Sequence, residues 1–278
     1  MAEYRCRQNG KPRDCRRNLT VTVKTATRRV ADVEPARLSL LNAGLVAASN
    51  LTECLAVDFG TLMRANMPGI EDNAVALMEA AAGTGISRRM ALAGRIIVEC
   101  HGLGALDHLL VHRSDTVRGW ACFAIGSAEN MPLPDRLALI RPLADDPHFG
   151  VREWAWMAIR PHLAGDLSHA ITLLVELTSE PSERLRRFAC EATRPRGVWC
   201  SHIAELKSEP ERALPVLEPL RDDPARYVQD SVGNWLNDAS KTRPDWVRGT
   251  CARWLDQNTR PETSKIVKRA LRSIGNAL

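Results

Sequence analysis

Apolar residues recur every three to four positions along most of the chain, from Pro35 almost to its end. This spacing puts them on one face of a helix, so it predicts a succession of amphipathic helices rather than strands. Turn signals such as Pro68 and Gly69 separate the segments. The first predicted helices cover residues 35–46, 52–67, 87–101 and 103–113.

From residue 115 onward the chain repeats a short motif, written DTVRGWA at residues 115–121 and FGVREWA at residues 149–155. Helix pairs spaced by about 35–45 residues are typical of HEAT-type arrays, in which each unit buries its apolar face only against its neighbours. We therefore predict an all-α fold, a HEAT-like superhelix or curved α-solenoid of helix pairs, as a single domain over residues 31–278. The aligned apolar positions of the five copies are Val117, Val151, Leu185, Val228 and Val267.

A basic residue follows the aligned apolar position in four of these copies. Stacking would bring these side chains to the same side of successive units, where they would form a basic stripe able to contact DNA phosphates. The alternative is that they cap helices or form ion pairs within the repeats, as in HEAT proteins that bind no nucleic acid. The four residues are Arg118, Arg152, Arg186 and Lys268.

Composition supports this class of fold. Aromatic residues make up only 5% of the 278 residues, fewer than a β-sandwich or barrel normally needs. No run of about 18 apolar residues predicts a membrane span, and no secretory signal is recognisable. Eight cysteines without CxxC pairs favour buried thiols in a reducing cytoplasm. We predict no metal site and no cofactor, and we expect a monomer.

The net charge of +5 is unevenly distributed. Residues 1–30 carry nine Lys or Arg and only two acidic residues. This composition predicts a basic N-terminal arm that either lies along phosphates or remains a solvated tail.

The most unusual segment covers residues 184–199. Pro195 disfavours helical backbone at Arg194, so we expect the third repeat helix to end near Thr193. Arg194, Arg196 and Trp199 would then project from the helix end.

Two carboxylates accompany this break. Glu191 stands in the final helical turn, where a negative charge is poorly placed for the helix dipole, so it is either paired with an arginine or used in chemistry. Asp238 has a similar place in the following repeat, and Lys241 and Arg243 come after it. Stacked repeats would bring Asp238 beside Glu191 and Trp199, in one cleft with aromatic rings and several arginines.

This set of residues suits the excision of a cationic base. An indole ring attracts a positively charged N-alkylated base through cation–π contact. Cleavage of the glycosidic bond builds oxocarbenium character on the sugar, which a carboxylate stabilises while it orients the attacking water. Because the charged base is already a good leaving group, no strong general acid is needed.

Several segments resemble the bacterial DNA alkylation repair proteins of the AlkC type, which are related to the AlkD glycosylases. The most specific is the motif Glu-x-Thr-Arg-Pro-Arg that begins at Glu191 and precedes Trp199. The resemblance implies a HEAT-like solenoid that clasps double-stranded DNA and excises cationic methylated bases such as 3-methyladenine. It is strongest over residues 145–250 and includes residues 186–199, 214–220, 222–228 and 234–238.

On this resemblance, Asp238 or Glu191 would stabilise the oxocarbenium and position water, and Trp199 would contact the lesion or its sugar. The family pattern has an acidic residue shortly before an Ala-Val/Ile-Arg-Pro run. Here Trp156 stands near that place, and Glu153, one helical turn earlier, is the candidate substitute. The main alternative function is a non-catalytic HEAT-like scaffold for DNA or a protein partner. The predicted DNA-binding residues are Arg152, Arg186, Arg194, Arg196, Lys241 and Arg243.

Overall fold

The computed structural model describes residues 29–197, 199–257 and 259–275, and all regular elements in these ranges are helical. Residues 1–28, and with them nearly all of the predicted basic arm, lie outside the described residues. The α-helices of the described part are α1 Pro35–Asn42, α2 Leu51–Ala56, α3 Phe59–Asn66, α4 Asp72–Ala80, α5 Ile86–His101, α6 Leu106–Leu109, α7 Asp115–Ser127, α8 Leu133–Ala144, α9 Phe149–Gly165, α10 Leu167–Leu177, α11 Glu183–Ala192, α12 Ala204–Ser208, α13 Leu214–Leu217, α14 Arg226–Ser240, α15 Pro244–Gln257 and α16 Pro261–Ala270. Short 3-10 helices cover Val30–Asp32, Gly102–Ala105, Pro210–Ala213, Glu218–Leu220 and Leu271–Ser273.

Helix α5 and the five helices that carry the repeated motif stack side by side in chain order. Helix α5 packs on α7, α7 on α9, α9 on α11, α11 on α14 and α14 on α16. A second layer contains α8, α10 and α15, each packed on the motif helices before and after it. This two-layer array of helix pairs confirms the predicted HEAT-like α-solenoid. None of the described helices is long and apolar enough to cross a membrane.

The repeat motif locates the helix starts. Pro147, Pro181 and Pro224 each stand two residues before a motif helix begins. The side chains of His148 and Ser182 then accept hydrogen bonds from the first backbone N–H groups of α9 and α11. The aligned apolar residues lie in the core, with exposures of 0–4%.

Two glycines let α5, α7 and α9 approach one another closely. A Cβ atom on Gly94 would lie 2.4 Å from the Phe123 carbonyl carbon of α7. On Gly126 it would lie 2.7 Å from the Ala158 carbonyl oxygen of α9. Glycine therefore fixes the spacing of α5, α7 and α9, the helices beside the candidate site.

The basic stripe predicted from the repeats is, in the structure, a ladder of hydrogen bonds within the solenoid. In four of the five copies, the residue after the aligned apolar position donates to the carbonyls five and six residues before it, in the turn that leads into its own helix. These bonds have donor–acceptor distances of 2.6–3.2 Å. The donors are Arg118, Arg152, Arg186 and Gln229.

Two rungs of this ladder also join neighbouring repeats. Arg118 pairs with Asp146 at 2.7 Å, and Arg186 pairs with Asp223 at 2.6 Å. Both carboxylates are nearly buried, and each also accepts the N–H of a residue two positions later. For Arg118 and Arg186 the structure thus supports the alternative interpretation, ion pairs within the repeats, because their donors are already used.

The N-terminal helices differ in detail from the sequence prediction. The helix expected over residues 52–67 is broken at Val57, because the Asp58 carboxylate accepts the Thr61 N–H at 2.9 Å and starts α3. Asn50, not Thr52, caps α2. The helix expected over residues 103–113 is reduced to Leu106–Leu109, after Gly102 ends α5 with a φ of 62°.

Candidate active site

A cavity of about 320 Å³ opens between the N-terminal helices and the middle of the solenoid. This volume is in the range of small-molecule pockets. Its walls come from α2, from the start of α5, from α9 and from the loop after α11, so the site depends on the curvature that brings these distant segments together. Apolar and aromatic side chains form most of the wall. Its lining residues are Leu51, Cys54, Ile86, Phe149, Gly150, Glu153, Trp154, Trp156, Met157, Arg194 and Trp199.

Glu153 provides the carboxylate of this cavity. It lies one turn before Trp156 on α9 and accepts the indole N–H at 3.0 Å. Its other oxygen pairs with Arg187 at 2.6 Å. The side chain remains 35% exposed, so the carboxylate is held in place by two donors and is still accessible from the cavity.

Behind Glu153, charged side chains alternate in sign away from the cavity. Arg187 contacts Glu191 at 3.3 Å, and Glu191 contacts Arg194 at 3.1 Å. Arg194 then reaches Asp238 at 2.6 Å, and Lys241 lies 3.1 Å from the same carboxylate. We call these six residues the charge chain: Glu153–Arg187–Glu191–Arg194–Asp238–Lys241. Its three carboxylates and three cations have a net charge of zero.

The expected meeting of Glu191 and Asp238 occurs, with Arg194 between them. Their carboxylates are only 3% and 8% exposed and do not line the cavity. Ser231 donates a further hydrogen bond to Glu191 at 2.9 Å. Of the three residues first proposed for catalysis, the structure therefore places Trp199 at the cavity and the two carboxylates behind its wall.

The two arginines of the charge chain remain cationic despite burial. Burial alone would lower the pKa of Arg187, but the adjacent Glu191 and Glu153 carboxylates outweigh it and raise that pKa. The pKa of Arg194 is raised in the same way, against burial, by Glu191 and Asp238. Among the described residues that line the cavity, Arg194 is the only cation, and the carboxylates behind it compensate its charge.

The loop that carries Trp199 is fastened to α9 by Arg160. This buried arginine donates to the carbonyls of Ala192 at 3.0 Å and Ser201 at 2.9 Å, and also to that of Arg194. The helix ends at Thr193, as the proline predicted, and Trp199 is 45% exposed at the cavity rim. Trp199 is therefore free to contact a bound molecule while its loop is fixed at both ends.

The other predicted DNA-binding residues lie around this site in different roles. Arg196 donates to the carbonyl of Asp238 at 3.2 Å, and Arg243 lies near Glu211 at 3.9 Å. Arg152 donates to the Tyr227 hydroxyl at 3.1 Å. A separate groove of about 500 Å³ lies between α14 and α16 and is lined mainly by cations. Of these cations, the sequence predicted only Lys268 as part of a basic surface. The cations are Arg226, Lys265, Lys268, Arg269 and Arg272.

Sequence reasoning missed two of the residues that organise the site. Arg187 immediately follows the ladder residue Arg186, and nothing in its spacing distinguishes it. Arg160 belongs to the Ala158-Ile-Arg-Pro161 run that the family pattern includes, which was the one available signal for it.

The fold and the site together define an all-helical HEAT-like repeat protein with an aromatic, carboxylate-bearing cavity. Residues 104–194 match the family model for HEAT repeats, and residues 150–274 match the family model described as DNA alkylation repair enzyme. The resemblance to DNA alkylation repair proteins inferred from the sequence is thereby confirmed. The broad role of the matched family is DNA alkylation repair.

The chain is also similar to individual proteins in sequence or in fold. An uncharacterized protein, YhaZ, from Bacillus subtilis strain 168 is 41% identical over 117 residues, which are 42% of this chain and 32% of that protein. The alkylpurine DNA glycosylase AlkC of Pseudomonas fluorescens, solved with DNA containing an abasic site analog, superposes with a TM-score of 0.64 at 23% identity. That match covers 90% of this chain and 65% of the glycosylase. This chain therefore spans less than two thirds of both proteins. AlkD2 of Streptococcus mutans has a TM-score of 0.51 at 21% identity, over 73% of this chain and 89% of its own.

Proposed function

We propose that this protein is a DNA glycosylase that removes cationic N-alkylated bases, of the 3-methyladenine type, from double-stranded DNA. The observation that carries the proposal is the Glu153 carboxylate, fixed by Trp156 and Arg187 yet open to a cavity with aromatic walls. The match to the DNA alkylation repair model and the likeness in fold to two proteins of the AlkC and AlkD type support it.

Glu153 faces the sugar in this proposal. Departure of the base builds positive charge at the anomeric carbon, and a carboxylate held ready beside it stabilises that charge without reorganisation. The lone pairs of Glu153 that Trp156 and Arg187 leave free accept a hydrogen bond from the attacking water and orient it. Glu153 thereby takes the place of the acidic residue that the family pattern has near position 156.

The aromatic side chains recognise the base. Trp199 at the rim and Trp156 in the wall supply aromatic rings for contact with a flat, positively charged heterocycle, and neutral bases lack the cation–π part of this attraction. Selection of alkylated over normal bases follows from the charge, since both have similar shape.

Glu191 and Asp238 act through Arg194 as positioning residues. Arg194 lines the cavity, and its charge would oppose a developing oxocarbenium if it were not compensated. The two buried carboxylates pair with the guanidinium on the side away from the cavity and neutralise its charge. Loss of either negative charge is expected to slow base release although neither oxygen faces the cavity.

The DNA backbone is held by cations around the cavity and in the groove between α14 and α16. Arg196 and Lys241 contact Asp238, Arg243 lies near Glu211, and the groove adds Lys265 and Lys268. Contacts of this kind fix the duplex without reading its sequence, which suits an enzyme that searches for damage.

The direct test incubates the full chain with duplex DNA treated with a methylating agent and quantifies released bases by mass spectrometry. We expect release of 3-methyladenine by the wild type, much slower release by Asp238→Asn and Glu191→Gln, and an unchanged rate for Glu129→Gln on an exposed turn. Single-turnover rates at saturating enzyme would show the loss in the chemical step rather than in DNA affinity. DNA retained by the wild type without any base release would instead establish the scaffold alternative.

A further inference from the structure

Three potential metal ligands from distant parts of the chain meet beside the cavity. Cys54 of α2, Asp115 at the start of α7 and His148 just before α9 place their ligand atoms within 4.8 Å of one another. The Cys54 sulfur lies 3.6 Å from the Asp115 carboxylate, and the His148 Nδ1 atom lies 3.7 Å from the same oxygen, Oδ2. Cys54 and Asp115 are each 1% exposed.

We propose that Cys54, Asp115 and His148 bind a zinc ion. With Zn–S of about 2.3 Å and Zn–O or Zn–N of about 2.1 Å, tetrahedral angles put the sulfur about 3.6 Å and the nitrogen about 3.4 Å from the carboxylate oxygen. The two observed separations from Asp115 Oδ2, 3.6 Å and 3.7 Å, therefore lie within a few tenths of an ångström of those in a tetrahedral site, and the sulfur and nitrogen lie within 4.8 Å of each other. Thiolate, imidazole and carboxylate together are a donor set typical of zinc.

The surroundings of the ligands fit the same assignment. His148 Nε2 lies 2.7 Å from the carbonyl oxygen of Ala48, so this nitrogen carries the proton and Nδ1, 3.7 Å from Asp115 Oδ2, is the unprotonated nitrogen that can bind a metal. The second carboxylate oxygen of Asp115 accepts the Ala48 N–H at 2.8 Å. Hydrogen bonds of this kind orient the ligands in metal sites.

Binding of the ion would change the bonds of Cys54 and of His148. The Cys54 thiol would lose its proton to solvent, and the resulting thiolate would bind the metal. The Gly150 N–H, now 3.1 Å from His148 Nδ1, loses this acceptor to the ion. Gly150 lines the cavity, where water can accept its hydrogen bond instead.

The ion would have one position open toward the cavity. Three protein ligands and one water is the arrangement of reactive rather than purely structural zinc sites, and Cys54 is itself part of the cavity wall. A thiolate, a carboxylate and Zn²⁺ sum to zero charge, so the ion would not repel a cationic base. It would also join α2 to the N-terminal ends of α7 and α9, beside the cavity.

This proposal does not depend on glycosylase activity and is tested without it. The full chain, stripped with a chelator, is titrated with Co²⁺, which gives thiolate charge-transfer and tetrahedral d–d absorption bands when bound in such a site. We expect one equivalent to produce both bands and Zn²⁺ to abolish them by displacement. Cys54→Ser should lose the charge-transfer band, while Cys251→Ser, at a buried thiol in α15, should keep it.

Absence of the bands in the folded wild type would overturn the proposal, as would bands of equal intensity in Cys54→Ser. Circular dichroism reports whether the variants fold. If Cys54→Ser does not, Asp115→Asn provides the second test, because its remaining side-chain oxygen can still accept the Ala48 N–H. We expect this variant to keep a thiolate band but to bind Co²⁺ at least about tenfold more weakly. Wild-type affinity in Asp115→Asn would likewise contradict the site.

Discussion

Two adjacent arginines on α11 make contacts with different roles, one within the repeat architecture and one at the candidate site. Arg186 donates to the turn before its own helix and pairs with Asp223 of the next repeat. Arg187 instead joins Glu153 at the cavity to Glu191 behind it. The repeat position that Arg186 occupies holds the fold together in four of the five copies, whereas the neighbouring residue Arg187 organises the site.

The largest effect should come from breaking the ladder. Arg186→Ala leaves the nearly buried Asp223 carboxylate without its charged partner, and the loss of one member of such a pair costs about 3–5 kcal/mol of unfolding free energy. Chemical denaturation would measure it. Arg95→Ala, whose partner Glu99 is exposed, should cost less than about 1 kcal/mol. Equal costs for both would mean that the ladder does not hold the repeats together.

A smaller effect is expected where the cavity meets the base. Trp199→Ala removes a half-exposed indole from the rim, and the loss of one stacked ring should weaken binding of methylated duplex by about 1–3 kcal/mol. Folding stability should hardly change, since the side chain is not in the core. Fluorescence anisotropy with methylated and unmodified duplexes would measure the difference. Leu77→Ala, which removes an exposed side chain of α4, should have no effect, and the account would be weakened if Trp199→Ala bound both duplexes as the wild type does.

The smallest effect should appear in the salt dependence of DNA binding. Lys268 follows the repeat position but is exposed in the groove between α14 and α16. If it contacts a phosphate, Lys268→Ala should make the slope of log K against log salt shallower by about 0.9. Arg64→Ala, at an exposed residue of α3, should leave the slope unchanged. A slope in Lys268→Ala equal to that of the wild type would show that Lys268 in the groove does not contact DNA.

Much of the fold could be predicted from the sequence because HEAT helices are local and repeated. A proline two residues before the motif helix recurs in three copies, and a buried valine or leucine recurs in all five, so an uncertain assignment in one copy is supported by the others. The N-terminal helices lack this redundancy. There a single capping side chain, Asp58, divided one predicted helix into two.

The site was only partly predictable. Glu191 and Asp238 were placed together correctly, since consecutive repeats stack in register. That Arg194 would bury both carboxylates depends on side-chain contacts that spacing does not specify. The cavity wall from Leu51 and Ile86 depends on the curvature of the whole solenoid, which no local pattern encodes. The sequence could not decide whether Arg186 contacts DNA or forms an ion pair within the fold, because its partner Asp223 lies 37 residues away along the chain.

The central claim is that Glu153 is the carboxylate that promotes base excision. The most direct measurement is the single-turnover rate of 3-methyladenine release from methylated duplex by the wild type and by Glu153→Gln, which keeps an oxygen for the Trp156 N–H and loses only the charge. We predict a rate lower by about 10²–10³-fold, with unchanged folding and DNA retention. Release by Glu153→Gln at the wild-type rate would contradict the account and would move the chemistry away from this cavity.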